Sequence, residues 1–214
     1  MPYKQIFWDC DGTLVDTEPA FFKATQQVLS KEGLELTIDW WTGVHLATGK
    51  SSFDLLLDQG VDRKRVQQLR EERNLLYQTS LSREVVIMDG IREVLDSLHQ
   101  RVPMSVVTSS LRSNNDHIVD AKNLRKYFDF IIAREDFDED KPDPACYLQA
   151  YDRVPHDREQ CLVIEDTQRG VQAAKAAGLI CFVIPNKYTL NHDFSMADRI
   201  LDHPRDLLEC FSPL

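Results

Sequence analysis

The chain has 214 residues, 43% of them hydrophobic and 28% charged, with ordinary glycine, proline and aromatic content, which excludes disordered, collagen-like and repeat-array classes and allows a sizeable core. Its net charge of −10 disfavours nucleic acid as a partner, because non-specific binding to a phosphate backbone needs a basic surface. It does not exclude a small phosphate, since a metal ion and one or two local cations can dominate a site.

Residues 4–8 form a short apolar run that stops at Asp9, which predicts a buried strand ending in Asp9-Cys10-Asp11-Gly12-Thr13. Ligand chemistry in α/β folds sits at such strand ends. A helix is predicted from about Thr17 and Pro19, with Thr17 as N-cap and Phe21, Thr25, Val28 and Leu29 on one face; Gly33 stops it. Residues 34–85 show helical patterns without a buried strand: Ser51 to Gln59, then Asp62 to about Leu81. The charged stretch Arg63 to Arg73 reads as a solvated helix face.

From Ile91 onward, helices alternate with Val/Ile-rich strands at 104–108, 129–133, 161–165 and 180–184. That rhythm predicts an α/β fold, a doubly wound parallel sheet with helices on both faces. The first strand belongs to the same sheet, so 1–15 and 86–214 form a core and 16–85 a helical cap inserted beside Asp9, placed to act as a lid.

Several features lead nowhere. Gly43 to Ser51 imitates a nucleotide P-loop, but its spacing is one residue too long and no strand precedes it; it reads as a substrate-facing cap loop in which Lys50 contacts substrate or simply starts a helix in solvent. Trp40 and Trp41 read as cap core, and none of the six histidines has metal-ligand spacing. The five cysteines, Cys10, Cys146, Cys161, Cys181 and Cys210, form no CxxC pair and read as reduced structural thiols. With no leader-like segment and no apolar run of spanning length, the expectation is a cytoplasmic protein without a membrane partner, a monomer or weak homodimer.

The chemistry concentrates in four places. An Asp-x-Asp-Gly-Thr run arises by chance in a chain on the order of a few times in a thousand. Paired carboxylates suit phosphomonoester hydrolysis, in which one attacks phosphorus and the other passes protons to the leaving alcohol and from the water. Magnesium, which prefers carboxylates and water, offsets charge between them. Thr108, followed by Ser109 and Ser110, ends a β-branched strand with hydroxyls suited to a phosphoryl oxygen; a Ser/Thr turn is the bland alternative. Lys141 precedes Pro142, which keeps it out of helical geometry, and neighbouring acids favour its charged form. Glu165 and Asp166 end a third buried strand, where Asp166 could be only an N-cap.

Asp9 through Glu18, followed in order by Thr108-Ser109, Lys141-Pro142-Asp143-Pro144 and Glu165-Asp166, resembles the four signatures of the haloacid dehalogenase superfamily, in its β-phosphoglucomutase-like and sugar-phosphate phosphatase branch. The resemblance covers the whole chain. It implies a Mg2+-dependent phosphatase of a small phosphorylated metabolite, with Asp9 as nucleophile, Asp11 as acid/base, Thr108 and Lys141 in the catalytic set, and Glu18, Ser109 and Lys50 against substrate. Asp9, the backbone carbonyl of Asp11 and Asp166 would hold the metal, with Glu165 ligating directly or through water. Dehalogenases lack the second aspartate, present here as Asp11. The mutases carry a histidine at the position matched by Phe21, so the resemblance favours hydrolysis over the rival phosphomutase. A catalytically idle regulatory or binding protein is the rival from another class, disfavoured by the intact Asp9, Asp11, Lys141 and Asp166.

Overall fold

The computed structural model describes residues 3–81 and 83–211; positions 1, 2, 82 and 212–214 of the core and cap ranges lie outside the described residues. A six-stranded parallel sheet has the order β5 (Ile131–Ile132), β4 (Met104–Val107), β1 (Gln5–Trp8), β6 (Cys161–Glu165), β7 (Ile180–Val183), β8 (Arg199–Ile200). The chain therefore winds outward in both directions from β1. Such a reversal opens a crevice at the strands' C-terminal ends.

Both sheet faces are buried, and side-chain alternation divides each central strand between two cores. Ile6, Trp8, Leu162 and Ile164 enter one cluster; Phe7, Cys161 and Val163 enter the other. Helix α5 (Ile91–Leu98) closes the first face with Ile91, Val94, Leu95 and Leu98, an i, i+3, i+4, i+7 stripe. Helices α7 (Ala145–Tyr151) and α8 (Gln168–Ala176) cover the second face. One polar pair interrupts the buried centre: Gln5 Nε2 donates to Ser105 Oγ at 3.1 Å.

Between β2 (Val15–Asp16) and β3 (Val86–Ile87), which pair antiparallel, lie α1 (Glu18–Leu29), α2 (Ile38–Trp40), a π-helical turn at Trp41–Leu46, α3 (Asp54–Asp58) and α4 (Arg63–Leu81). This helical insertion has its own core, including Val28, Leu36, Trp41, Phe53, Leu56 and Leu69. No helix among the described residues is long and apolar enough to cross a membrane. All five cysteines are free, four of them buried.

The structure differs from the sequence reading in five details. The ribbon β2–β3 and the exposed edge strand β8 are too short for a periodic signal. The strand expected at 129–133 covers only Ile131–Ile132, and the helix expected from Ser51 begins at Asp54. Thr17 precedes α1 with helical backbone angles and makes no side-chain cap; its hydroxyl donates to Asp11 Oδ1 at 2.8 Å instead. Arg70 and Arg73, read as solvated, are half-buried.

Candidate active site

The strand register decides what meets at the crevice. Trp8 stands opposite Val106 and Ile164, so Asp9 lies level with Glu165, the last residue of β6, and one step short of Thr108, all three at the sheet's C-terminal edge. Asp9 is buried, and its Oδ1 accepts from Lys141 Nζ at 2.6 Å. Among the described residues its other oxygen accepts no hydrogen bond. The ammonium of Lys141 also donates to Glu165 Oε1 at 2.7 Å and to the Val107 carbonyl at 3.3 Å.

Glu165 is fully buried and its oxygens are filled. Tyr147 Oη adds a second donor to Oε1 at 2.7 Å, and Oε2 accepts from the Asp166 N–H, the Thr167 N–H and the Thr167 hydroxyl. Gly170 permits this arrangement, because a Cβ there would lie 2.0 Å from the Glu165 carboxyl. Thr167, rather than Asp166, caps α8 by accepting from the Gly170 N–H. That leaves Asp166 to face Asp9. Its Oδ1 accepts from Thr13 Oγ1 at 3.2 Å and its Oδ2 from Asn186 Nδ2 at 2.7 Å.

Carboxylate oxygens of Asp9, Glu165 and Asp166 lie within 4.8 Å of one another, all buried. Burial, then neighbouring carboxylates, pushes Asp9 up to about 8 and Asp166 well above the usual carboxylate range. Burial alone would lower Lys141, but Asp9 and Glu165 outweigh it and hold its pKa well above normal. Burial would likewise raise Glu165, yet Lys141 and the hydrogen bonds keep it low. Three buried carboxylates share one lysine, so Asp9 and Asp166 lack the positive charge that would let both ionise together. A hard divalent cation with oxygen ligands fits that donor set.

Asp11 is held by three hydroxyls: Thr17 at 2.8 Å on Oδ1, and Thr108 at 3.0 Å and Ser110 at 2.7 Å on Oδ2. Ser109 Oγ donates to Asp140, which also accepts from the Lys141 N–H at 2.8 Å and so positions the lysine's backbone. Asp9, Asp11, Ser109 and Lys141 line one side of a cavity of about 390 Å³.

The insertion supplies the other side. Glu18 is buried there, accepting from Trp41 Nε1 at 2.9 Å, and burial pushes its carboxyl up to about 7. Phe21 meets Tyr77 edge-on at 4.9 Å, and both line the cavity. His45 Nδ1 lies 2.9 Å from the Lys50 carbonyl, which can only accept, so Nδ1 carries the proton. Burial pushes this imidazole down to about 4, leaving it neutral. Lys50 itself is exposed and is not among the lining residues; the cations on the insertion side are Arg70 and Arg73.

Residues 6–184 match the model of the haloacid dehalogenase-like hydrolases, and the chain belongs to that family. The chain is 30% identical to a phosphoglycolate phosphatase of Pseudomonas fluorescens, over 97% of this chain and 80% of the relative. It is 29% identical to a fructose-1-phosphate phosphatase of Escherichia coli over 83% of this chain and 94% of that one. A crystal structure of the protein CbbY from Rhodobacter sphaeroides, in complex with phosphate, shares the fold with a TM-score of 0.81 at 23% identity, covering 96% of both chains.

Sequence reading missed Tyr147, Asn186, His45 and the two arginines. Arg70, Arg73 and Tyr77 do carry a signal, lying at i, i+3 and i+7 of one helix and so on one face.

Proposed function

We propose that this hydrolase is a magnesium-dependent phosphatase of small phosphorylated metabolites, sugar phosphates or related polyol and acid phosphates, working through a phosphoryl group carried on Asp9. One observation carries the reading: the Asp9 carboxylate sits at the end of the central strand, one oxygen on Lys141 and the other free, at a cavity of small-molecule size. The phosphoglycolate and fructose-1-phosphate phosphatases among its relatives support the same reaction class. In this reading residues 16–85 act as the cap over a core of 1–15 and 86–214.

Asp9 Oδ attacks phosphorus as the ester P–O bond breaks, and Asp11 gives a proton to the departing alcohol. Water then attacks the phosphoryl group, Asp11 takes its proton, and the Asp9 carboxylate is regenerated. Lys141 stabilises negative charge beside the attacking oxygen, while Thr108 and Ser109, whose hydroxyls are spent on Asp11 and Asp140, hold those carboxylates in place around it. Asp9, Asp166 and the carbonyl of Asp11 would hold magnesium, which would supply charge neutralisation at the phosphoryl group. Glu165, with both oxygens filled, holds Lys141 in place rather than ligating the metal directly. Glu18 binds substrate hydroxyls.

His45 favours a second reading, a phosphomutase. Phe21 occupies the place of the mutase histidine, yet an imidazole still lines the cavity, 6.3 Å from the Phe21 ring. A screen of phosphorylated metabolites with Mg2+ and phosphate detection tests the phosphatase, and absence of release from every ester would leave the idle binding protein. Incubation with β-glucose 1-phosphate, glucose 6-phosphate and the bisphosphate separates the two enzymes. Interconversion much faster than phosphate release would overturn hydrolysis.

A further inference from the structure

The insertion side of the cavity carries positive charge that phosphoryl transfer at Asp9 does not use. Arg70 and Arg73 are i, i+3 neighbours on α4 and both line the cavity. Their guanidinium groups share the Phe53 ring, at 4.8 and 5.4 Å from its centroid, and Arg73 also lies 4.4 Å over the Phe21 ring. Ring faces on both sides hold the Arg73 fork in place.

The two arginines differ in what neutralises them. Arg70 has Asp54 at 3.7 Å and the Ser51 hydroxyl at 3.0 Å. Arg73 spends its Nε on Asn74 Oδ1 at 2.8 Å, and among the described residues neither of its Nη groups has a hydrogen-bond partner. Burial first, and Arg70 second, pushes Arg73 down to about 10, so it stays charged at neutral pH. A half-buried, rigidly held guanidinium with a free N–H edge, beside a second cation, is incomplete without an anion. Its planar fork matches a carboxylate or phosphate in two-point geometry.

We propose that Arg70 and Arg73 form a second oxyanion site, and that the enzyme's substrates are phosphomonoesters carrying another anionic group, a carboxylate or a second phosphate, at the end away from the transferred phosphoryl group. The phosphatase reading is assumed only for the first of those two ends. A substrate with a neutral tail leaves Arg73 unpaired, and a site built around a polar contact rejects the analogue that lacks it.

The test compares matched esters on the wild type, Arg73→Met and Arg73→Lys: 2-phosphoglycolate against 2-hydroxyethyl phosphate, and fructose 1,6-bisphosphate against fructose 1-phosphate. The expected result is a kcat/KM ratio of about tenfold or more for the charged tail in at least one pair. That ratio falls toward unity in Arg73→Met and is intermediate in Arg73→Lys, which keeps the charge but loses the fork. The two pairs distinguish carboxylate from phosphate. Equal or better use of the neutral tail in both pairs, or an unchanged ratio in Arg73→Met, overturns the proposal. Arg73→Lys carries the comparison if the methionine variant melts early.

Calorimetric binding of the same esters to Asp9→Asn, with and without Arg73→Met, separates this inference from the reading it rests on. Absence of turnover with a charged-tail binding preference that Arg73 controls sinks the phosphatase and supports the oxyanion site. Turnover without that preference does the reverse.

Discussion

Replacing Gly12 with alanine strikes, through the backbone, Asp166, the carboxylate proposed above to hold magnesium. Gly12 has φ +84°, and a Cβ there would stand 2.3 Å from Asp166 Oδ2 and 3.0 Å from Asn186 Nδ2. A side chain in left-handed backbone costs about 1–2 kcal/mol, and overpacking adds about 1–3 kcal/mol. At about 2–4 °C per kcal/mol for a chain of this length, Tm should fall by roughly 5–15 °C. To restore ordinary contact the Asp166 oxygen must retreat by about 1 Å, a displacement that costs on the order of 100-fold in rate when it misplaces reacting groups. Disturbing the surroundings of a metal ligand costs about 10–100-fold in affinity. Magnesium titration of phosphate release, beside a thermal melt, reads both effects: half-activation should need about tenfold more Mg2+ or more. Thr13→Val, which removes only the 3.2 Å donor to Asp166, should shift the same curve less. A Gly12→Ala enzyme with wild-type melting and magnesium response would refute the argument.

Asp9→Asn should abolish phosphate release while melting as a folded protein; full turnover in that variant would remove Asp9 as nucleophile. Lys141→Met leaves Asp9 and Glu165 without their shared cation and should cost about 3–5 kcal/mol, the usual result of breaking a buried ion pair. Millimolar Mg2+ should recover part of that loss in a melt, and EDTA should remove the recovery. Burial pushes Glu18 up to about 7 in the folded chain from an ordinary 4.5, so between those pH values the unfolded state binds fewer protons and stability falls as pH rises. The loss is of order 3 kcal/mol and complete above pH 7. Glu18→Gln, whose amide oxygen still accepts from Trp41, should escape it, so its Tm advantage in EDTA should grow from pH 4.5 to 7 and then level off. Parallel Tm curves would contradict the assigned burial effect.

What could be read from the sequence was local. The strands β1, β4, β6 and β7 announce themselves because each is a largely apolar or β-branched run buried on both sides and cut off by a polar residue or, after β7, by Pro185. Asp9, Asp11, Thr108 and Asp166 stand at or near such endings, within short motifs, and Lys141 is marked by its own Lys-Pro-Asp-Pro motif. Tyr147 and Asn186 have no such mark: each matters through a partner distant in the chain, Glu165 and Asp166, and only folding makes the pair. Arg73 is hidden differently. Its helix face, shared with Tyr77, can be read from the spacing, but only the placement of Phe21 and Phe53 against that face turns a charged side chain inward.

The Gln5–Ser105 contact has a bearing on how this chain avoids misfolding. Strands β1 and β4 are otherwise apolar on both faces, so hydrophobicity alone scarcely separates the native pairing from one slid along by a residue. Sliding would carry the Gln5 amide away from its hydroxyl inside a dry sheet, an orphaned polar group costing about 1–3 kcal/mol. The same slide would change the native spacing of Asp9 and Thr108 along the strands by a full step, about 3.3 Å. A polar pair remote from the reacting atoms thus acts as an error signal, making the misaligned sheet unstable before it can become an inactive enzyme.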